Sequence, residues 1–323
     1  MNAEHAKLAE KTWLSVLSGL CVQSSDLTDG VGYGIRPRIR PRPGRGYTDR
    51  RHMKTVTAAA VIAALLVASA AAQFQGRRGR FFMPRIGENP AYDGAFTFCR
   101  IMFRNASDGD GGGWHVDWPR ADQNLSFRFS ELTTTQVSRD IAGNFNHVVI
   151  QLTDADRLAR CPFIMLTEPG GAYFDEAEAA GLRTYLQKGG FLWADDFWGE
   201  YAWAHWEHEI RKALPSGQYP LMELPLEHPV FHVLYDVHEK VQIPSIGAWG
   251  GPGGNTSERG RDSAEVHVRG ITDRDGHLLV VMTHNTDFGD SFEREGDSRA
   301  YFEYFAGKGY AFGVDVLLYA MTH

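Results

Sequence analysis

Polar and acidic side chains follow each of four apolar runs in the chain. Glu168 comes directly after the run 163–167, and Asp195 and Asp196 come directly after the run 191–194. If these runs are parallel strands, their carboxyl ends meet at one edge of the sheet, where ligands bind in open α/β folds. The residues expected at that edge are Arg104, Trp114, Asp117, Trp118, Asp122, Glu168, Asp195, Asp196, His284, Asn285, Asp287, Asp290 and Glu293.

Carboxylates gathered in one cleft repel one another unless a cation, a basic side chain or a bound proton compensates their charge. The set therefore predicts either a site for a metal ion or cationic ligand, or a proton-transfer site with Arg104 and His284 as the partners. The catalytic candidates are Asp195, Asp196, Glu168 and His284, and the rest of the set is assigned to ligand binding. No cofactor is predicted, and a divalent metal is the open alternative.

Each of these carboxylates also has a purely structural interpretation. An Asp that follows a strand commonly caps a helix or forms a turn, and Asp196, Asp287 and Asp290 all fit that description. The spacing from His284 to Glu293 matches neither the calcium-loop pattern nor the His-Glu-x-x-His of zinc proteases. Capping is the more common role for any single residue, but the gathering of the whole set favours a site.

Short apolar runs separated by helical patterns indicate the elements that hold these residues. The predicted strands, which lack polar alternation as in a parallel sheet covered on both faces, are 96–103, 148–152, 163–167 and 191–194. Asp175 is the candidate N-cap of a helix over 174–188 that ends at Gly189, and a second helix is predicted over 200–214. The segment 114–122, between the first two strands, is interpreted as a loop.

The C-terminal part adds a hairpin and a helix. Residues 264–271 and 277–283 flank a turn at 273–276. The apolar segment 310–322 predicts a closing helix that docks on the sheet, since its apolar face would otherwise be exposed. We therefore predict an α/β fold, a three-layer sandwich with a mostly parallel central sheet plus a C-terminal hairpin and helix.

The N-terminal part is expected to lie outside the folded domain. Residues 53–72 combine a charged start, an apolar run and small residues at a cleavage site, which is typical of a secretory signal peptide. Residues 1–52 are interpreted as a disordered leader or a mis-called extension, and 73–94 as an extended lead-in to one domain over 95–323. We expect export to the periplasm or the medium, with an uncleaved N-terminal anchor as the alternative.

The composition, with 43% hydrophobic and 23% charged residues, excludes collagen, coiled-coil and disulfide-scaffold classes. Removal of residues 1–72 would leave 23 basic and 35 acidic side chains, and this acidity argues against nucleic-acid binding. Two cysteines, Cys99 and Cys161, would remain in a compartment that permits disulfides. Both lie in or beside apolar runs, and two buried thiols are favoured over a bridge.

Three segments form an ordered set of motifs. They are Trp114-x-x-Asp117-Trp118-Pro119-x-Ala121-Asp122-x-Asn124-Leu125, Gly189-Gly190-Phe191-Leu192-Trp193-Ala194-Asp195-Asp196 and His284-Asn285-Thr286-Asp287-x-Gly289-Asp290-x-x-Glu293. The set resembles the bacterial exported family called domain of unknown function 4159, from residue 96 to the C-terminus. The resemblance implies an α/β fold similar to class I glutamine amidotransferases and trehalose-utilisation-like proteins, and it brings no established activity.

The resemblance also bears on the reaction and on the type of sheet. The amidotransferase nucleophile would be a Cys in a tight turn after a central strand, whereas the matching turn here reads Thr167-Glu168-Pro169-Gly170-Gly171. Cys-dependent glutaminase chemistry is therefore not expected. The fold expectation is a flavodoxin-like or glutamine amidotransferase-like sheet.

Three functions are compatible with these patterns. The first is an exported domain that binds or senses a small ligand in an acidic cleft, with carbohydrates among the candidate ligands. The second is a hydrolase that uses a carboxylate pair for general acid and base catalysis. The third is a structural partner in envelope machinery, for which the cleft is incidental. No nucleic-acid partner is expected, and no stable membrane span remains if the signal is cleaved.

Overall fold

The computed structural model describes residues 86–323, and the interpretations of 1–52, of 53–72 and of most of 73–94 lie outside the described residues. The strands of this part are β1 Phe98–Ile101, β2 Arg104–Asn105, β3 His147–Ile150, β4 Phe163–Thr167, β5 Ala172–Tyr173, β6 Phe191–Phe197, β7 Leu221–Glu223, β8 His267–Thr272 and β9 Leu278–His284. Seven of them form one sheet in the order β3-β1-β4-β6-β9-β8-β7. The pairs from β3 to β9 are parallel, and β9-β8 and β8-β7 are antiparallel.

Helices cover both faces of this sheet. They are α1 Arg120–Leu132, α2 Ala155–Leu158, α3 Glu176–Gln187, α4 Gly199–Ala213, α5 Ile246–Trp249, α6 Phe288–Glu293, α7 Arg299–Tyr301 and α8 Gly307–Thr322. Helices α1, α6 and α8 pack together on one face, and α2, α3 and α4 on the other. None of the helices within 86–323 is long and apolar enough to cross a membrane.

Strand β6 shows how the two faces are filled. Trp193 is fully buried and packs edge-on against Phe288 and Phe312, whereas its neighbours Leu192 and Ala194 belong to the core beneath α3 and α4. Side chains alternate between the faces of a strand, so a strand buried on both faces is apolar at every position. The uninterrupted apolar runs of the sequence follow from this geometry.

The predicted α/β class and mostly parallel sheet are confirmed. The predicted helix over 174–188 is confirmed as α3, in which Asp175 and Glu178 form a capping box. The hairpin and the closing helix are confirmed as β8-β9 and α8. Each of these elements carries a strong local signal at its ends, a cap, a turn or an apolar stripe.

The segment 114–122 was predicted wrongly as a loop throughout, because α1 begins at Arg120 and places Asp122 in its first turn. Ala121, Leu125 and Phe129 are spaced by four residues and form the buried stripe of α1. The aromatic and acidic residues before Pro119 concealed this helical periodicity.

The expectation of two free thiols was also wrong. Cys99 on β1 and Cys161 just before β4 form a disulfide with a sequence separation of 62 residues. Both residues are buried on the face that carries α3 and α4. The bridge joins adjacent strands because β1 and β4 are direct neighbours in the sheet, an arrangement that the sequence spacing did not indicate.

Candidate functional site

Five aspartates converge where β6 and β9 end and where the turn after β2 enters α1. We call this group the acidic cluster, and its members are Asp117, Asp195, Asp196, Asp287 and Asp290. All five are buried, with exposed fractions between 0% and 8%. Buried carboxylates are rare unless paired, so the cluster is the first place in the described part of the chain to look for function.

Left-handed backbone occurs at two members of the cluster and at two of its neighbours. Asp117 has φ 63°, Glu168 56°, Asp196 61° and Asn285 62°. Asp and Asn tolerate this region better than other non-glycine residues, but Glu does not share that preference. At Asp196 the conformation coincides with a register shift in β6, which turns the side chain out of the strand's regular alternation.

Arg100 on β1 anchors the segment that carries Asp117. Its Nε donates to both carboxylate oxygens of Asp122, at 2.9 and 3.1 Å, and both side chains are fully buried. Its Nη1 donates to the carbonyl oxygens of Trp114 and Val116 and to Thr167 Oγ1. The charge of Arg100 is therefore matched by Asp122, and its remaining donors fix the backbone next to Asp117.

Asp195 is held from both sides. Thr283 Oγ1 donates to its Oδ1, and the Gly289 N–H donates to its Oδ2 at 3.0 Å. Burial raises the pKa of Asp195 to about 7, although these hydrogen bonds favour the carboxylate. Both oxygens of Asp195 therefore accept hydrogen bonds, and these bonds connect β6 to β9 and to α6.

Asp117, Asp196 and Asp287 form the innermost group, and we call it the aspartate triad. One carboxylate oxygen of each lies within 4.8 Å of those of the other two. Burial raises the pKa of all three well above the ordinary aspartate value, and mutual repulsion within the cluster adds to the shift. A second group, Asp117, Asp290 and Glu293, shares Asp117 with the triad.

The three aspartates differ in their hydrogen bonds. Asp287 caps α6 by accepting from the Asp290 N–H, and Asp196 accepts from Trp198 Nε1 at 2.9 Å. Asp117 Oδ2 is buried and has no hydrogen-bond partner. Asp287 therefore takes the capping role foreseen for it and also faces the triad, whereas Asp196 does not cap α4, whose N-cap residue is Trp198.

Glu168 occupies the turn directly after β4, beside the cluster. It is partly buried, and burial together with repulsion from Asp110 and Glu258 raises its pKa to about 8. The loop before α1 reaches over it so closely that a Cβ on Gly111 would lie 2.4 Å from Glu168 Oε2. A side chain at position 111 would therefore displace the Glu168 carboxyl group.

Two predicted proton-transfer partners lie away from the cluster. Arg104 is exposed and forms ion pairs with Asp175 and Glu178, because β2 pairs with β5 and carries it to the surface. His284 is buried, and its Nε2–H donates to Gly199 O at 3.1 Å while its Nδ1 accepts from Arg269. Burial lowers the pKa of His284 to about 3. The expected pairing of these two residues with the carboxylates is thus corrected.

Three other predicted ligand-binding residues, Asn285, Trp114 and Asp122, are buried among neighbouring groups. Asn285 accepts from the Gly199 N–H and donates to Glu265 O, and Trp114 is 1% exposed, with its ring against Trp118. Asp122 pairs with Arg100 as described. Neither Trp114 nor Asp122 presents a free surface to a ligand.

Asp290 and Glu293 share an arginine. Arg294 Nε lies 3.3 Å from an Asp290 oxygen and 2.8 Å from a Glu293 oxygen. Asp290 Oδ2 also accepts from the Ile246 N–H. The second group therefore has a positive charge of its own.

Residue-type reasoning missed Arg100, Thr283 and Arg294, which set the charge and the hydrogen bonds of the site. Arg100 had a signal, because a single arginine inside the apolar run Phe98–Ile101 needs a buried anion. Thr283 had none, since a threonine at the end of a strand is ordinary.

These observations define an α/β domain with a buried acidic cluster at the carboxyl ends of its parallel strands. The chain belongs to the family described as a domain of unknown function (DUF4159), whose model matches residues 100–321. A search of the curated proteins found no match.

Proposed function

We propose that this domain binds a small ligand at the acidic cluster and that the ligand brings positive charge to it. The observation that carries the proposal is the charge balance of the buried groups. Arg100 is paired with Asp122, and Arg294 is shared by Asp290, Glu293 and Asp297. The aspartate triad is left with raised pKa values, so it must hold protons or a ligand cation.

The position of the cluster in the sheet supports the same proposal. The chain passes from β1 outward to β3 and then back across to β4, so the direction of strand order reverses between β1 and β4. Ligands of open parallel sheets bind at such a reversal, beyond the carboxyl ends of the strands. Asp117 and Glu168 follow the two strands at this reversal, β1 and β4, and the other members of the acidic cluster lie at the ends of the neighbouring strands β6 and β9.

The nature of the ligand follows from what lines the site. The burial of Trp114 removes one of the two predicted aromatic rings from the carbohydrate hypothesis, and the other, Trp118, is half-buried beside it. Carboxylates favour a cationic group instead. We also propose a relationship of fold to the class I glutamine amidotransferases without their glutaminase activity, because the turn after β4 holds Glu168 in place of a Cys.

A hydrolase is the second candidate, and one observation favours it. Burial raises the pKa of Glu168 to about 8, which places this partly exposed carboxyl in the range of a general acid near neutral pH. Asp196, whose pKa is raised by burial and by the nearby charge of Glu168, would be the second carboxyl of the pair. Loss of turnover in Glu168→Gln, with an unchanged melting temperature, would favour catalysis over binding alone.

A thermal-shift experiment tests the binding proposal. The dialysed full chain is melted with polyamines, guanidinium compounds and neutral sugars, and Asp196→Asn is compared with the exposed control Asp275→Asn. Asn also tolerates the left-handed backbone at 196. We expect a saturable rise in melting temperature with cationic ligands that Asp196→Asn abolishes and Asp275→Asn retains. Binding that is equal in both variants would contradict the proposal.

We further propose that the chain is exported. The pattern in 53–72 and the Cys99–Cys161 bridge support this, because disulfides persist in oxidising compartments. N-terminal sequencing of the exported protein should begin near Gln73. Recovery of residues 1–52 in the mature protein would contradict it.

A further inference from the structure

We propose that the aspartate triad, Asp117, Asp196 and Asp287, is a binding site for one divalent cation of the hard class, Mg²⁺, Mn²⁺ or Ca²⁺. This inference rests on the proposed function, since it identifies the positive charge that the acidic cluster requires.

The distances within the triad suit a single ion. One oxygen of each aspartate lies within 4.8 Å of the others. Oxygen ligands lie about 2.0–2.6 Å from Mg²⁺ or Ca²⁺, so two ligands on opposite sides of one ion are separated by roughly 4–5 Å. All three carboxylates can therefore reach the same cation.

Asp117 supplies an independent sign of a missing partner. Its side chain is more than nine-tenths buried, and Oδ2 has no hydrogen-bond donor. A buried carboxylate oxygen without a partner is costly, and proteins rarely leave one. The absence of a side chain at Gly289 makes room for this oxygen, because a Cβ there would lie 2.2 Å from it.

The charges around the cluster select this triad over the second group. Asp290 and Glu293 already share Arg294. Arg100 is held by Asp122 beneath the site. A cation between Asp117, Asp196 and Asp287 would neutralise three carboxylates that form no ion pair with either arginine.

The donor atoms determine the class of metal. All three are carboxylate oxygens, which are the ligands of Mg²⁺, Ca²⁺ and Mn²⁺. The buried imidazole at the end of β9, His284, has both ring nitrogens engaged with Gly199 and Arg269. The triad therefore lacks the nitrogen and sulfur ligands that favour Zn²⁺ or Cu²⁺.

The carboxylates are held in place before any ion binds. Asp117 and Asp196 project from left-handed backbone at φ 63° and 61°, and Asp287 is fixed by its bond to the Asp290 N–H. Restricting the ligands in this way lowers the entropic cost of gathering them around a cation.

Calorimetry on the full chain tests the proposal. The protein is stripped with EDTA, dialysed, and titrated with Mg²⁺, Ca²⁺ or Mn²⁺ at constant ionic strength. We expect one equivalent to bind, with affinity reduced at least 10-fold in each of Asp117→Asn, Asp196→Asn and Asp287→Asn. The control is Asp275→Asn, which alters the exposed group Asp273, Asp275 and His277 and should bind as the unaltered chain does.

The folding of the variants is measured by melting in EDTA. Removing one of three mutually repelling carboxylates should leave the apo protein as stable or more stable. If another variant fails to fold, Asp287→Asn still tests the site, because the Asn side-chain oxygen can keep the helix cap. Binding that survives in Asp287→Asn, or that is lost in Asp275→Asn, overturns the site, as does the absence of divalent-cation binding to the unaltered chain.

The outcome also separates this inference from the proposed function. Binding of an organic cation with no divalent-cation binding would retain the proposed function and reject the metal site. Divalent-cation binding at the triad, with no ligand found in the presence or absence of the ion, would retain the metal site and reject the proposed function.

Discussion

Removing one partner of the Arg100–Asp122 pair should be among the most destabilising changes available in the described part of the chain. Both side chains are fully buried, and Nε of the arginine contacts both oxygens of the aspartate. Asp122→Leu leaves the guanidinium buried without its anion. Breaking a buried pair in this way costs about 3–5 kcal/mol.

The structure supports a value in that range. Two unit charges about 4 Å apart interact by about 4 kcal/mol at the effective dielectric constant of protein sites. Arg100 cannot lose its proton to escape the cost. For a domain of this size, a loss of 3–5 kcal/mol lowers the melting temperature by about 6–20 °C.

The assay is a double-mutant cycle with Asp122→Leu, Arg100→Met and the double variant, measured by urea unfolding at pH 7. We expect the double variant to be more stable than Asp122→Leu alone, because no uncompensated charge remains. It should fold yet bind divalent cations more weakly, since Arg100 Nη1 no longer holds the Trp114 and Val116 carbonyls beside Asp117. A loss below about 1 kcal/mol in Asp122→Leu, or additive effects in the double variant, would refute the reasoning.

Two further predictions concern other buried groups. Reducing the Cys99–Cys161 bridge, or replacing both residues with Ser, should lower the free energy of unfolding by about 4 kcal/mol, because the bridge closes a loop of 62 residues. A decrease below about 1 kcal/mol in urea unfolding would contradict this value. Burial raises the pKa of Asp315 to about 7 in the folded state, whereas the same carboxyl titrates near pH 4 in the unfolded chain. Between these values only the folded state holds the proton, so the free energy of unfolding falls as pH rises from about 4 toward 7. Asp315→Asn keeps an acceptor for the Leu234 and Tyr235 N–H groups, and its stability relative to the unaltered chain should rise by about 2 kcal/mol between pH 5 and pH 8; parallel pH curves for the two proteins would refute the assignment.

The main strands and three of the eight helices, α3, α4 and α8, were predictable because their signals are local. The apolar runs at β4 and β6 carry their own pattern, and the Asp175 cap and the Gly189 stop mark the ends of α3. The start of α1 at Arg120 was missed because the acidic and aromatic residues of 114–122 suggested a loop, although a proline at a helix start, here Pro119, is itself a helix signal. The bridge was missed because pairing of Cys99 with Cys161 depends on which strands become neighbours.

The sequence predicted the acidic residues of the candidate site but not the basic residue that lies beside them. Strand ends could be read from the sequence, and the parallel sheet then brings Asp195, Asp196 and Asp287 to one edge, as expected. Which arginine reaches the site depends on the path of the chain after β1 and on the face of the strand from which each side chain projects, and the sequence specifies neither. The chain turns away after β1 and takes Arg104 to the surface, whereas Arg100, inside the strand, points to the face that carries α1.

Capping and ligand binding were posed as alternatives for each aspartate, but the geometry of Asp287 makes them compatible. One of its oxygens accepts from the Asp290 N–H at the start of α6, and its carboxylate also belongs to the triad. A carboxylate has two oxygens with about four lone-pair sites, so a cap uses only part of its capacity. The cap fixes the position of the side chain, and that fixed position is what a rigid oxygen ligand needs. A capping role for Asp287 therefore counts in favour of the triad as a site.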